Sequence, residues 1–268
     1  MRPDSPPSLI AADDRGLAYG DGVFETVRWQ GGRAPLWPWH LARLQLGCAR
    51  LGLPEPAPQQ LAHILAAAQQ ASFDGVLKLI WTAGSGPRGY RRAATVEGRL
   101  IHFWGALPQG DSRGLRLVWC RTRLSRQPAL AGLKHLNRLE QVLAANEWAP
   151  DQADEGLMRD GAGQVIAATA ANLVALIGGR WYTPALRNCG VAGVGRRWLM
   201  STQPIEERAL KKADIEGADQ LVLINALRGP RWVASLHGRR WTRHAEVAGW
   251  EQRWQALFDA GSLPLPTL

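Results

Sequence analysis

The stretch "AGLKHLNRLEQVLAANEW" spans Ala131–Trp148 and places Lys134 directly ahead of an amphipathic helical pattern. The 268-residue chain has 32 Lys and Arg residues, but only four of them are lysines, at positions 78, 134, 211 and 212. Arginine practically never loses its proton, so an amine nucleophile or an amine base must be a lysine. Lys134 is therefore a candidate for amine chemistry. The alternative is a solvated lysine at a helix start, because lysine is almost always exposed.

Before Lys134, the hydrophobic pattern predicts a Gly-rich turn with a strand, two helices and three further strands. In the first helix, an apolar stripe at helical spacing is formed by Leu41, Leu44, Cys48 and Leu51, with Arg43 beside it. The predicted turn and strand span 15–30, the helices span 39–53 and about 58–72, and the strands lie at 75–82, 99–107 and 115–124.

After Lys134, we expect a helix through Trp148 with Leu136, Leu139 and Leu143 facing inward. A Gly-rich loop at 190–195 leads into a helix, a charged helix covers 206–219, and the last helix covers 246–260. Strands are predicted at 155–160, 164–170, 172–184 (with a Gly-Gly hairpin turn), 219–227 and 231–236. Because regular βαβ alternation is missing, the fold class is predicted as α+β. The polar segment at 108–114 predicts two domains, 1–110 and 111–268.

Composition limits the classes of partner. The net charge is +9, but the arginines are spread along the whole chain and no nucleic-acid motif is present, so an acidic small substrate is the favoured partner. No apolar run is long enough to span a membrane, and the first residues lack the apolar core of a secretory signal. Three widely spaced cysteines favour a reduced cytoplasmic protein without a metal site.

Three further motifs have both a functional and a structural interpretation. The segment "GVAGVGRR" (190–197) is either a phosphate-binding loop at a helix start or a tight turn with a helix cap. Arg43 is either a phosphate-binding arginine or a surface arginine. The loop "GSGPRGY" (84–90) places Arg88 at its tip, and it is otherwise an ordinary turn. Lys78 lies in an apolar strand and its side chain could face either side.

Six segments together resemble the fold-type IV pyridoxal phosphate family, which includes branched-chain and D-amino-acid aminotransferases. They occur in family order along nearly the whole chain, and "GSGPRGY" and "KHLNRLEQ" indicate the lyase branch more than the aminotransferases. The resemblance implies a small α/β domain, a larger mixed α/β domain of barrel-like form, and a homodimer. The segments are "RGLAYGDGVFETVR" (15–28), "HLARL" (40–44), "GVLKLIWTAGSGPRGY" (75–90), "LAGLKHLNRLEQVLA" (130–144), "NLVALIGGRWYTPALRNCGVAGVGRR" (172–197) and "LVLINAL" (221–227).

The resemblance also implies the roles of individual residues toward pyridoxal 5′-phosphate. Lys134 matches the lysine that joins the cofactor as an internal aldimine, and Arg43 matches the arginine that binds the cofactor phosphate. The backbone of the Gly-rich loop and a second segment complete the phosphate cup; these residues are Gly193, Val194, Gly195, Asn225 and Ala226.

One position departs from the family pattern. Family members carry a glutamate five residues before the "NL" of the next strand, where it pairs with the pyridine nitrogen of the cofactor, but this chain has Ala167 there. The substitution has three interpretations: activity has been lost, other groups hold the ring, or the reaction needs a weaker electron sink. We favour the third. The substrate that the lyase branch implies is an aminocyclohexadiene with a carboxylate on its ring, and a carbanion at its carbon C4 can delocalise toward that carboxylate.

The resemblance implies a cytoplasmic lyase that converts 4-amino-4-deoxychorismate to 4-aminobenzoate and pyruvate, a step toward folate. This small substrate carries two carboxylates, and Arg28 and Arg88 are the candidates to bind them. No nucleic acid, membrane or metal is expected as a partner. The alternatives are a D-amino-acid or branched-chain aminotransferase of the same fold, and a relative that has lost catalysis.

Overall fold

The computed structural model describes residues 9–71, 73–108 and 113–259, which form two units. The first unit comprises the described residues up to Pro108, together with Leu133–Asn137 and residues 257–259. The second unit comprises residues 113–132 and Arg138–Ala256. Within these described ranges, no helix has both the length and the apolar character that a membrane crossing requires.

The first unit is built on a three-stranded antiparallel sheet in the order β1 (Gly22–Trp29), β2 (Gly75–Thr82) and β3 (Arg99–Gly105). Strand residues alternate between two faces. On one face, Val27, Leu77 and Leu79 are buried in an apolar core. The two helices at 37–51 and 58–70 pack against this face. The elements are α1 (Arg15–Tyr19), β1 (Gly22–Trp29), α2 (Trp37–Leu51), α3 (Pro58–Gln70), β2 (Gly75–Thr82) and β3 (Arg99–Gly105).

The segment predicted as a Gly-rich turn before β1 is a short helix, α1. The side chain of Asp14 caps this helix, because its Oδ1 accepts hydrogen bonds from the backbone N–H groups of Gly16 at 2.8 Å and Leu17 at 3.3 Å. Gly20 ends the helix in the left-handed conformation, with φ of 65°. The glycines that suggested a turn therefore mark the end of a helix.

The segment Leu133–Asn137 groups with the first unit, whereas the sequence placed Lys134 in the second domain. The reason is backbone pairing with the edge of β1. Phe24 N–H donates to the carbonyl of Lys134 at 2.9 Å, and Leu136 N–H donates to the carbonyl of Gly22 at 3.0 Å. This pairing fixes the backbone of Lys134 beside Phe24.

The second unit contains a ten-stranded mixed sheet in the order β10-β6-β5-β4-β12-β11-β7-β8-β9, with β13 paired to β12. The sheet is nearly closed, because β6 also contacts β7 and β8, and its interior is filled by an apolar cluster that includes Leu157, Leu173 and Leu223. The elements are β4 (Leu115–Leu124), α4 (Leu139–Ala145), β5 (Glu155–Asp160), β6 (Gln164–Ala168), β7 (Asn172–Ile177), β8 (Arg180–Pro184), α5 (Val194–Thr202), β9 (Ile205–Arg208), β10 (Leu210–Lys211), α6 (Lys212–Glu216), β11 (Gln220–Asn225), β12 (Gly229–Leu236), β13 (Arg239–Arg240) and α7 (Ala245–Ala256). The fold is α+β with a barrel-like second unit, as the sequence predicted.

Two predictions for the second unit were wrong in detail. Leu139 and Leu143 are 69% and 55% exposed, so the inward face of α4 is formed instead by Ala144. The charged segment 206–219 is not one helix but contains β9, β10 and α6. Ile205 and Leu210 are buried there, since β9 pairs with β8 and β10 pairs with β6.

Candidate functional site

Lys134 is half-buried, and its Nζ lies 4.2 Å from the centre of the Phe24 ring. A cation over an aromatic face is attracted by the negative charge of the ring face, so Phe24 holds the amine of Lys134 in place. The position is not that of a solvated lysine at a helix start, because α4 begins only at Leu139. By contrast, Lys211 is exposed, and Lys212 forms an exposed ion pair with Glu216 at 3.4 Å.

Arg43 is paired with a buried carboxylate. Its Nε and Nη2 donate to the two oxygens of Glu25 at 2.8 and 2.5 Å, and His40 Nδ1 lies 2.6 Å from Glu25 Oε2. Burial alone would raise the pKa of Glu25, but Arg43 and His40 lower it to about 2. Burial lowers the pKa of His40 and outweighs the opposing effect of Glu25. The Arg43 side chain is only 10% exposed, so the surface interpretation of this arginine is excluded.

The predicted phosphate loop enters α5 as expected from the sequence. Gly193 is the N-cap residue of α5 and has no side chain to cap the first turn, so the leading N–H groups of this helix have no partner within it. A Cβ on Gly193 would overlap Asn172 Oδ1, and a Cβ on Gly195 would lie 2.9 Å from the backbone carbon of Asn225. Glycine is required at both positions because the Asn172 side chain and the Asn225 backbone lie this close to the helix start.

Asn225 organises the second predicted part of the phosphate cup. Its Oδ1 accepts hydrogen bonds from the N–H groups of Leu227 at 3.1 Å and Arg228 at 2.9 Å, which shape the turn containing Ala226. Because Gly195 approaches Asn225 directly, the second unit brings together the 193–195 and 225–226 segments.

Ala167 lies in an apolar cluster. It is 8% exposed and packs with Cys120, Met158, Ile166 and Cys189 on the side of β6 that faces away from the barrel interior. Burial raises the pKa of both thiols, to about 12 for Cys120 and about 11 for Cys189, so neither thiol is ionised at neutral pH.

The two arginines predicted to bind substrate differ in their surroundings. Arg28 is half-buried, stacks 3.9 Å from the Phe258 ring, and donates from Nη2 to Gln30 at 2.6 Å. Burial lowers the pKa of Arg28. Arg88 is exposed in the loop that follows β2.

A buried arginine that the sequence analysis missed holds the base of the Arg88 loop. Arg15 Nη1 and Nη2 donate to the carbonyls of Gly89 at 3.0 Å and Tyr90 at 2.8 Å, and Arg15 Nε pairs with Asp21 at 2.9 Å. Arg92 forms a second ion pair with Asp21. Burial opposes ionisation of Asp21, but Arg92 and Arg15 lower its pKa overall. The strand pattern of β1 could have shown that Glu25 is buried, but no local signal identifies Arg15 as a loop support.

These residues fit the pyridoxal phosphate that the resemblance implies. The second unit offers a helix start that is closely approached by neighbouring backbone and lacks a side-chain cap, which is the arrangement that binds a phosphate. The first unit offers a lysine amine held on an aromatic ring and, on α2 of the same unit, an arginine oriented by a buried carboxylate. Among the described residues, no group of three or more His, Cys, Asp or Glu side chains could hold a metal ion.

Comparisons with known proteins identify the family and several similar proteins. The model of the amino-transferase class IV family matches residues 22–236. An aminodeoxychorismate lyase of Vibrio harveyi is 31% identical over 241 residues, which cover 86% of this chain and 89% of that protein. The crystal structure of 4-amino-4-deoxychorismate lyase from Pseudomonas aeruginosa has a TM-score of 0.88 and 39% identity, covering 93% of this chain and 96% of that chain. A bifunctional aminodeoxychorismate lyase / D-amino acid transaminase of Mycobacterium tuberculosis is 29% identical over 275 residues, which cover 91% of this chain and 90% of that protein.

Proposed function

The chain belongs to the amino-transferase class IV family, and on that premise we propose that it is a pyridoxal phosphate-dependent carbon–oxygen lyase. Its reaction is the conversion of 4-amino-4-deoxychorismate to 4-aminobenzoate and pyruvate. The observation that carries this function is similarity over nearly the full length to lyases of that name, at 31% and 39% identity.

The cofactor of this family is pyridoxal 5′-phosphate, which supplies a carbonyl that captures amines and an electron-poor ring that takes up negative charge. We propose that Lys134 is the lysine that binds this cofactor. The N–H groups at the start of α5, with Gly193, Val194 and Gly195, are proposed to hold the phosphate together with Arg43, Asn225 and Ala226.

Lys134 is also proposed to move the protons of the reaction. Its Nζ takes the proton from C4 of the substrate, and the C3–O bond to the enolpyruvyl group then breaks as the ring becomes aromatic. The released enolpyruvate accepts a proton at its methylene carbon and becomes pyruvate, so the reaction needs no water and no redox partner. A single amine can serve as base and then as acid because it gains the proton in the first step.

The test is a direct assay of the purified protein with pyridoxal phosphate and 4-amino-4-deoxychorismate. We expect equal amounts of 4-aminobenzoate and pyruvate, and a visible absorption band from the bound cofactor. Lys134→Ala should lose both the band and the turnover, whereas Lys211→Ala, which changes an exposed lysine, should keep both. A parent protein that binds the cofactor but releases no 4-aminobenzoate would contradict the proposed reaction.

Transamination of D-amino acids is the second candidate activity, and the bifunctional relative is the observation that favours it. Incubation with D-alanine and 2-oxoglutarate would reveal it by the formation of glutamate. Lyase turnover that exceeds this transamination under the same conditions is the result expected from our proposal.

The proposed function includes an oligomeric state and a cellular compartment. We infer that the protein is a homodimer that acts in the cytoplasm on a small dianionic substrate. The three cysteines are free thiols, as a reducing compartment would leave them. Light scattering after size-exclusion chromatography should give a mass near twice the 29.4 kDa of the chain.

A further inference from the structure

The β1–β3 sheet has a second face, opposite its core, that carries another amine. Thr26, Lys78 and Phe103 stand opposite one another on the three strands, so their side chains share that face. Phe24, which contacts Lys134, belongs to the neighbouring row on the same face. Phe24 and Lys78 are half-buried and Phe103 is 46% exposed, so this face is accessible in part.

Lys78 and Lys134 lie near the same aromatic ring. The Nζ of Lys78 is 5.1 Å from the centre of Phe24 and 5.5 Å from the centre of Phe103. The Nζ of Lys134 is 4.2 Å from the centre of Phe24. Two amines and two aromatic rings therefore occupy one continuous part of the sheet face.

The surroundings of Lys78 indicate that it binds an anion. Within residues 9–71, 73–108 and 113–259, Lys78 forms no ion pair and donates no hydrogen bond, and its ammonium group lies near the rings of Phe24 and Phe103. A half-buried ammonium without a carboxylate is costly, and an apolar residue would suit the strand "GVLKLIWT" better. A bound carboxylate would offset this cost.

Arg28 lies on the same face but has closer partners. Its guanidinium stacks on Phe258 and donates to Gln30, and it stands opposite Val76, one row beyond Lys78. Lys78 is therefore the cation on this face that lies nearer to Phe24 and Lys134.

We propose that Lys78 binds the ring carboxylate of the substrate while Phe24 and Phe103 pack against the unsaturated ring. This proposal rests on the proposed function, which supplies a cyclic dianion as substrate. In that substrate, C4 and the carbon that bears the ring carboxylate are at opposite ends of the six-membered ring. The segment of Lys134 pairs with one edge of β1, and β2, which carries Lys78, pairs with the other, so the two amines approach Phe24 from opposite edges and are proposed to face these two ends. Lys78 is thus a specificity-determining residue, since D-alanine has neither a ring nor a second carboxylate.

The experiment compares Lys78→Met, Lys78→Arg and the control Lys211→Met in the cofactor-loaded protein. Lys78→Met should raise the KM for 4-amino-4-deoxychorismate about ten- to a hundredfold, with kcat changed far less, since a charged hydrogen bond is lost. The visible band should stay, because Lys134 is intact. Lys78→Arg should recover most of the loss, and Lys211→Met should match the parent.

A binding measurement tests the same point without turnover. The product 4-aminobenzoate should bind Lys78→Met more weakly than the parent by a similar factor, whereas the uncharged analogue 4-aminobenzamide should bind both proteins equally. Thermal melting checks that each variant is folded, and Lys78→Gln replaces the Met variant if that one melts early.

The outcomes separate the two proposals. A parent that releases no 4-aminobenzoate contradicts the proposed function, and the product-binding comparison then still decides whether Lys78 holds a carboxylate. An active parent whose Lys78→Met variant keeps the parental KM and product affinity overturns the role of Lys78. Loss of the visible band in Lys78→Met also overturns it, because Lys78 would then be the cofactor-binding lysine.

Discussion

Glu25 shows how a single buried charge constrains the residues around it. It stands on the core face of β1 next to apolar residues such as Val27, where an unpaired carboxylate would be very costly. Arg43 and His40 from α2 compensate for this cost. Arg43 donates from both Nε and Nη2 to Glu25, and this two-point contact fixes the plane of its guanidinium. Glu25 is then a positioning residue that sets the orientation of Arg43.

Replacing Glu25 with Gln should remove stability that depends on pH in a defined window. The pKa of Glu25 is lowered from its ordinary 4.5 to about 2, so its contribution is fully present above pH 4.5 and is lost as pH falls toward 2. This shift corresponds to stability on the order of 3 kcal/mol. Urea unfolding of the parent and Glu25→Gln at pH 7 and at steps below 4.5 measures the difference. A difference that stays constant through that window would contradict this assignment.

Arg43→Ala should weaken cofactor binding about ten- to a hundredfold, because one charge-assisted contact to the phosphate is lost. Excess pyridoxal phosphate should then restore much of the turnover. Equilibrium dialysis of the apo protein measures the affinity, and thermal melting separately records the cost of leaving Glu25 with His40 alone. Lower stability with unchanged cofactor affinity would show that Arg43 only neutralises Glu25.

At the scale of elements, the start of α5 has to form a helix while keeping two glycines, which are poor helix formers. A helix is stabilised by residues with side chains, yet Gly193 and Gly195 are retained because Asn172 and Asn225 lie against them. The sequence signal of this site is therefore a packing requirement as well as a phosphate motif. The glycine pattern alone could not distinguish the two, because Asn172 and Asn225 are distant in the sequence.

Gly195→Ala should weaken cofactor binding and lower the melting temperature, because the new Cβ would lie 2.9 Å from the backbone of Asn225. Gly249→Ala in α7 is the matched control, since its Cβ would meet only the end of Arg253 at 3.6 Å. The control should gain about 0.5–1 kcal/mol from helix propensity and keep the parental cofactor affinity. Equal gains in stability for both variants would mean that the turn at Asn225 adapts freely.

The local hydrophobic pattern predicted the first and last residues of some elements correctly and failed for others. β2, β4 and β5 have the predicted bounds, since each is an apolar run between turn residues. α4 ends at Ala145 instead of Trp148, and its leucines are exposed. The segment 206–219 looks helical by charge pattern, but pairing with β8 and β6 makes strands of its first part, and only Lys212–Glu216 is helical. Such pairing overrides local preference and leaves no local signal.

At the scale of the whole molecule, the order of motifs predicted the family, and the match over 22–236 confirms it. The unit to which Lys134 belongs was not predicted, because its segment pairs with β1 from far along the chain. Ion pairs such as Arg15 with Asp21 were also missed, since neither residue type indicates its partner. The proposed site residues depend on these long-range contacts, and their roles stay predictions until they are tested.

Ala167→Glu tests whether the protein is adapted to the lyase reaction in preference to transamination. The resemblance places residue 167 beside the ring nitrogen of the cofactor, where a carboxylate would keep the ring protonated and a stronger electron sink. The lyase reaction needs this less, since the substrate's own ring carboxylate accepts charge. We therefore expect tighter cofactor binding, little change in lyase turnover and a larger rise in transamination of D-alanine.

The ratio of the two activities in the parent and in Ala167→Glu is the deciding measurement. Because the cluster around residue 167 is apolar, an unpaired glutamate there would have a raised pKa and would lower stability without cofactor. Ala167→Gln, which is nearly the same size and uncharged, separates charge from volume. A lyase rate that rises by orders of magnitude would mean that alanine impairs the parent enzyme. Loss of cofactor binding in both variants would mean that position 167 does not face the ring, since bulk alone would then account for the effect.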